Sequence, residues 1–351
     1  MKKKSDSDDH FLEARDHLFK SMAAAHREIA RRIDIMNSQY VSTERDNLFT
    51  RLFDNMVINA AAGFLGHAAK PRIAIVVGAS GSGKSASIQH HIANRPEFQP
   101  YSRSDGVMVS SMLSLDAPVP ATQLTTARKG IKSFKLPIAS KLSPNEASEI
   151  FCDLLKANNK MFVHIDEMQF AVRGNGRQNV ITMQDFMRTL IQTDEHVLHL
   201  LLSGAEKLFE FVGEELQWDN RSEMVLPLLD LSFERHKKLL ESIMRIVVED
   251  HAGLKRHDLS SDDLLKRVLH AARYQYGTYI QWIRAACTNV FYDGRDTVTP
   301  EDFAKAYGLA KGCIREKNVF LSADWLSIVP SKPPKPRGAS GRSLPREKER
   351  L

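Results

Sequence analysis

Two stretches of this sequence combine residue types that act together on phosphate. The first is Gly78-Ala79-Ser80-Gly81-Ser82-Gly83-Lys84-Ser85, preceded by the apolar run Ile73-Ala74-Ile75-Val76-Val77. A short β-branched run reads as a buried parallel strand, and the glycines after it permit a tight turn whose backbone N–H groups converge. Such a turn holds phosphate. Lys84 supplies a point charge for the β- and γ-phosphates, Ser85 a hydroxyl for Mg²⁺, and the helix read over 85–94 its positive end. The second stretch is Met161-Phe162-Val163-His164-Ile165-Asp166-Glu167, an apolar strand ending in two carboxylates. Ligands of open parallel sheets sit at the carboxyl ends of the strands. Asp166 is therefore expected at the metal opposite Ser85, with Glu167 polarising an attacking water. The expected ligands are a nucleotide and Mg²⁺.

Strand and helix patterns alternate between these stretches and beyond them. Strands are predicted over 106–113, 197–202 and 224–231, and helices over 121–131, 143–155 and up to 193. The fold class this implies is α/β: a P-loop, three-layer αβα domain with a parallel sheet, followed by a small all-α domain. Ser203, ending the 197–202 strand, is read either as a contact to the γ-phosphate or water, or as the N-cap of a helix over 205–211. Arg221, just before the last strand, either reaches the nucleotide of a neighbouring subunit or is an ordinary surface arginine.

Four segments follow: a helical extension over 1–36, the nucleotide-binding domain over 37–232, a helical lid over 233–329, and a basic tail over 330–351 that reads as disordered. The extension is predicted as a single helix over 11–36. The lid has helices over 234–251, 260–274, 278–291 and 300–316, and its Tyr274, Tyr276, Tyr279 and Trp282 read as core. Arg128, Lys129, Lys132, Lys135 and Lys141 form a basic connection after the 121–131 helix; it is either a solvated face or a DNA contact.

Composition bounds the rest. The chain has 351 residues, 42% hydrophobic and 26% charged, with a net charge of +6, so it can bury a core and tolerate nucleic acid. No apolar run approaches the ~18 residues of a membrane span, and Met1-Lys2-Lys3-Lys4 leads into acidic residues. A cytoplasmic protein without membrane contact is expected. Cys152, Cys287 and Cys313 are too far apart in sequence for a zinc motif and read as reduced thiols.

The order of these motifs resembles initiator-like AAA+ ATPases, and within them the TniB/TnsC family of transposition regulators. The resemblance runs from Gln39-Tyr40-Val41-Ser42-Thr43 through Asp166-Glu167-Met168-Gln169 to Glu215-Leu216-Gln217, Arg221 and Leu226-Pro227-Leu228. It implies an ATPase, with ATP and Mg²⁺ as its ligands, that assembles as a ring or helical filament around double-stranded DNA, without sequence choice. Such an assembly couples a target-selection protein to a transposase on the bacterial nucleoid. Carried over, it makes Tyr40 and Val41 the adenine pocket, Ser203 the sensor and Arg221 the in-trans finger, and it puts Arg128, Lys129, Lys132, Lys135, Arg173 and Arg177 on DNA. One departure stands out: three residues after Gly277, where such lids often carry an arginine, stands Ile280; either Arg273 or Arg284 substitutes or the sensor is missing, and slow hydrolysis is expected. A helicase loader, a protein-remodelling ATPase and a nucleotide-locked scaffold are the competing expectations.

Overall fold

The computed structural model describes residues 5–65, 73–172, 176–191, 197–212 and 222–330. Arg173, Arg221, the 215–217 motif and the tail from 331 lie outside the described residues. The chain opens with α1 (Ser5–Ser21) and α2 (Ala24–Ser38), where one continuous helix is predicted. The break is stabilised locally: Ser21 Oγ donates to the Leu18 carbonyl, and the Arg27 guanidinium donates to the carbonyls of Lys20 and Met22.

There follow α3 (Asp46–Ala62), β1 (Ile73–Gly78), α4 (Lys84–Asn94), β2 (Tyr101–Ser102), β3 (Met108–Val109), β4 (Met112–Asp116), α5 (Gln123–Ser133) and α6 (Pro144–Ala157). After these come β5 (Phe162–Asp166), α7 (Gly176–Ile191), β6 (His199–Gly204), α8 (Leu208–Val212) and β7 (Ser222–Leu228). The main sheet has the order β4-β5-β6-β1-β7, with every neighbouring pair parallel. Thus β6 lies between the phosphate-loop strand and the Asp-Glu strand. Alternate residues face opposite sides of a sheet. Ile75, Val163, Ile165, Leu200 and Leu202 pack on one side with Phe151 of α6 and Phe186 and Met187 of α7. Ala74, Val76, Phe162, Leu201 and Leu226 pack on the other with Phe49 and Phe53 of α3 and Ile88 of α4. These are the three layers expected.

Three local readings need correction. The predicted 106–113 strand is divided: β3 pairs antiparallel with β2, and the sheet strand β4 starts only at Met112. Gly106, at φ 80°, turns the chain back on Tyr101–Ser102 and so captures the first half of the run. Second, Arg128, Lys129 and Lys132 lie on α5 itself and not in a connection: the helix starts behind a Thr122–Thr125 capping box and runs to Ser133. Third, β6 continues through Ser203 and α8 starts at Leu208, so Ser203 is no helix cap.

The remaining elements are α9 (Phe233–Arg245), β8 (Lys255–Arg256), α10 (Asp262–Ala271), α11 (Tyr276–Tyr292), β9 (Thr297–Val298) and α12 (Pro300–Lys311). The chain divides into two compact units. One holds 37–239 together with 274–278; the other holds 1–36, 240–273 and 279–351. The N-terminal helices, expected as a separate extension, thus share a unit with the C-terminal ones, where the Arg32 guanidinium lies 4.1 Å from the centre of the Phe291 ring. Tyr279 and Trp282 are core residues of that unit, and Cys287 is buried there, whereas Cys152 and Cys313 are half-buried; all three thiols are free. Among the described residues, no helix is long and apolar enough to cross a membrane.

Candidate nucleotide site

The phosphate loop leaves β1 at Gly78 and enters α4 at Lys84, with Gly81 at φ 87° and Gly83 at φ 90°, angles that side chains rarely adopt. Lys84 Nζ is turned into the loop, donating to the carbonyls of Gly78 (2.7 Å) and Ala79 (3.1 Å). Burial pulls its pKa down, and the nearby carboxylates of Asp166 and Glu167 oppose this. The result is a cation held at the loop by its own backbone.

Strand order brings Asp166 to this loop. Its Oδ2 accepts from Ser85 Oγ, and its Oδ1 accepts from Ser203 Oγ at 2.5 Å and from the Glu167 backbone N–H at 2.8 Å. Burial alone would raise the Asp166 pKa; the hydrogen bonds from Ser203 and Ser85 outweigh it, and the group stays below the usual carboxylate range. A serine hydroxyl and an ionised carboxylate in contact are the hard oxygen donors that Mg²⁺ takes alongside water and phosphate, so the residues fit that ion. When bound, Mg²⁺ neutralises charge on the phosphate oxygens. Glu167 sits at φ 59°, and its Oε2 accepts a hydrogen bond from Gln169 Nε2.

Ser203 is fully buried, and its hydroxyl proton is committed to Asp166. It sits at the carboxyl end of β6, next to the phosphate-loop strand. Behind it stands a residue that the sequence reading passed over. His164 is fully buried, with Nε2 2.8 Å from Ser203 Oγ and Nδ1 2.8 Å from Ser114 Oγ, which in turn accepts from Gln89 Nε2 at 2.9 Å. Since Ser203 donates to Asp166, His164 must donate through Nε2–H and accept at Nδ1. Every bond in the row from Gln89 to Asp166 therefore points the same way. Burial pushes the His164 pKa down to about 4.

That shift carries a stability prediction. A histidine depressed in the folded state is neutral there while the unfolded chain already binds a proton, so stability is complete above about pH 6.5 and falls as the pH drops toward 4. The expected loss from this group is roughly 3 kcal/mol. Urea unfolding between pH 7 and 4 should show this limb in the wild type and a flatter one in His164→Gln, which keeps one donor and one acceptor.

Tyr40 lies against α4. Tyr40 stacks on His90 with ring centres 3.8 Å apart, and its hydroxyl donates to Asp46 Oδ1 at 2.6 Å; Ser87 Oγ is 2.9 Å away. Tyr276, read from sequence as lid core, instead donates to the Val41 carbonyl at 3.1 Å. The Thr278 N–H donates to the Gly81 carbonyl at 3.0 Å, and a Cβ on Gly277 would stand 2.8 Å from that same oxygen. Residues 274–278 are thus part of the loop's surroundings. Arg45, also passed over, donates from Nη2 to the Ser82 carbonyl at 3.2 Å and lies 4.5 Å from the centre of the Tyr276 ring. Ile280, Arg273 and Arg284 belong to the other unit. Arg177 is exposed at the start of α7, and Lys132 and Lys135 are exposed at the end of α5 and just past it.

With this geometry in view, residues 68–212 match the family described as AAA domain (AAA_22). They are an AAA+ ATPase domain. The AAA+ fold is also that of Aeropyrum pernix ORC1 protein, solved in complex with DNA, at a TM-score of 0.56 and 17% identity, covering 81% of this chain and 70% of that one. Cdc6p from Pyrobaculum aerophilum is similar at 0.50 and 12% identity, over 82% of this chain and 76% of that one. The ADP form of Aeropyrum pernix ORC2 is similar at 0.50 and 13%, over 82% and 75%. At these identities the likeness is one of fold. No curated protein sequence matches the chain.

Proposed function

We propose that this AAA+ ATPase is an ATP-gated, DNA-binding regulator of transposition. In this reading, ATP held between adjacent copies lets them assemble as a ring or filament on duplex DNA, and the assembly links target selection to a transposase. Lys84 and Ser85 hold phosphate and Mg²⁺, Asp166 holds the metal, Glu167 orients the attacking water, and Arg221 of one copy reaches the nucleotide of the next. Residues 37–232 are the nucleotide-binding domain and 233–329 the lid, with 1–36 and 330–351 left for partner contacts.

The observation that carries the ATP-driven part is the contact of Ser85 with Asp166 at the phosphate loop, with Glu167 tethered beside it. The transposition part rests on the order in which Tyr40-Val41, Asp166-Glu167-Met168-Gln169, Arg221 and Leu226-Pro227-Leu228 occur. The DNA part rests on Arg128, Lys129, Lys132, Lys135 and Arg177, with Arg173. Only Lys129 among them has an acidic neighbour at ion-pair distance in the described residues, Asp116 at 3.9 Å.

Basic side chains on phosphates give affinity without sequence choice. Lys129→Ala/Lys132→Ala should weaken ATP-dependent binding to any duplex equally and reduce the salt slope of log K by about 2, as fluorescence anisotropy across salt concentrations would read. An unchanged slope would remove α5 from the DNA interface. The likeness to ORC1 favours a second reading, an initiator or helicase loader. Binding confined to one duplex sequence would select it.

A further inference from the structure

Glu167 leaves its strand in a left-handed conformation, so neither strand nor helix geometry aims its side chain. Among the described residues, a buried amide does so. Gln169 is 5% exposed; its Nε2 donates to Glu167 Oε2, and its Oε1 accepts from the Ala205 backbone N–H at 2.9 Å. That N–H can only donate, so the amide is oriented with its oxygen toward Ala205 and its NH₂ toward the carboxylate. Gly204, at the end of β6, makes room for it: a Cβ there would stand 2.5 Å from Gln169 Oε1.

We propose that Gln169 is a positioning residue that ties Glu167 to the corner between β6 and α8, so that turnover follows the position of that corner. One carboxylate oxygen is held by the amide and the other is left to accept from water. The chain beyond the corner continues into α8, so whatever displaces α8 is transmitted to Glu167 through two hydrogen bonds. This rests on the reading of Glu167 as the water-orienting carboxylate.

The test is steady-state ATP hydrolysis by the full chain with Mg²⁺, with and without random duplex DNA, paired with binding of a fluorescent ATP analogue. In Gln169→Leu, kcat should fall on the order of ten- to a hundredfold while KM and analogue affinity stay within about twofold. Gly204→Ala should act in the same direction, because its methyl displaces the end of the Gln169 side chain and leaves Glu167 untouched. The double variant should be no slower than the slower single one, as expected when both break one link. Wild-type kcat in Gln169→Leu, or kcat and analogue affinity falling together in both variants, would overturn the proposal. Normal hydrolysis by Glu167→Gln would instead overturn the role of Glu167 itself.

Discussion

Lys84→Ala is expected to lose ATP binding while keeping the fold. The ammonium is buried and desolvated, and the groups it contacts are two carbonyls of its own loop and, at 3.4 Å, Ser82 Oγ. Charge-assisted hydrogen bonds contribute about 1.5–3 kcal/mol each, so losing the phosphate contacts should weaken ATP on the order of a hundredfold or more. Removing a desolvated charge offsets much of what the lost loop contacts contribute, so the ligand-free melting temperature should move little. Thermal unfolding across an ATP·Mg²⁺ titration checks both statements, since a ligand that binds only the folded state raises its stability with concentration. The wild type should be stabilised progressively and Lys84→Ala should not.

Glu167→Gln is expected to bind ATP normally and turn it over on the order of a hundred- to a thousandfold more slowly. The replacement is isosteric, and its amide oxygen can still accept from Gln169 Nε2, so geometry is kept while the negative charge that polarises water is lost. Asp166 keeps its three donors from Ser85, Ser203 and the residue-167 backbone. The variant should therefore hold the ATP-bound state and, in the proposed function, a long-lived DNA complex. Single-turnover hydrolysis alongside nucleotide affinity separates the two effects.

The phosphate loop and the Asp166–Glu167 strand end were legible because their chemistry depends on residues adjacent in sequence. Their meeting was legible too, since it follows from strand order in a parallel sheet. The place of Ser203 at its strand end was legible and its neighbours were not: β6 sets its hydroxyl against His164 and Asp166 of β5. A histidine within the apolar run of β5 was the available signal for that row. Tyr276 and Arg45 left none. Tyr276 meets Val41 across 235 positions and Arg45 meets Ser82 across 37, and no local periodicity encodes contacts at such separations. Helix boundaries were missed where side chains decide them, as at Ser21 and Arg27 between α1 and α2.

The central claim, that ATP joins copies of this chain on duplex DNA, is tested most directly by electron microscopy of the full chain with a slowly hydrolysed ATP analogue, with and without random-sequence duplex. Rings or filaments on the duplex that vanish when nucleotide is withheld are the predicted result. Isolated single copies under every condition, with bare DNA beside them, would contradict it.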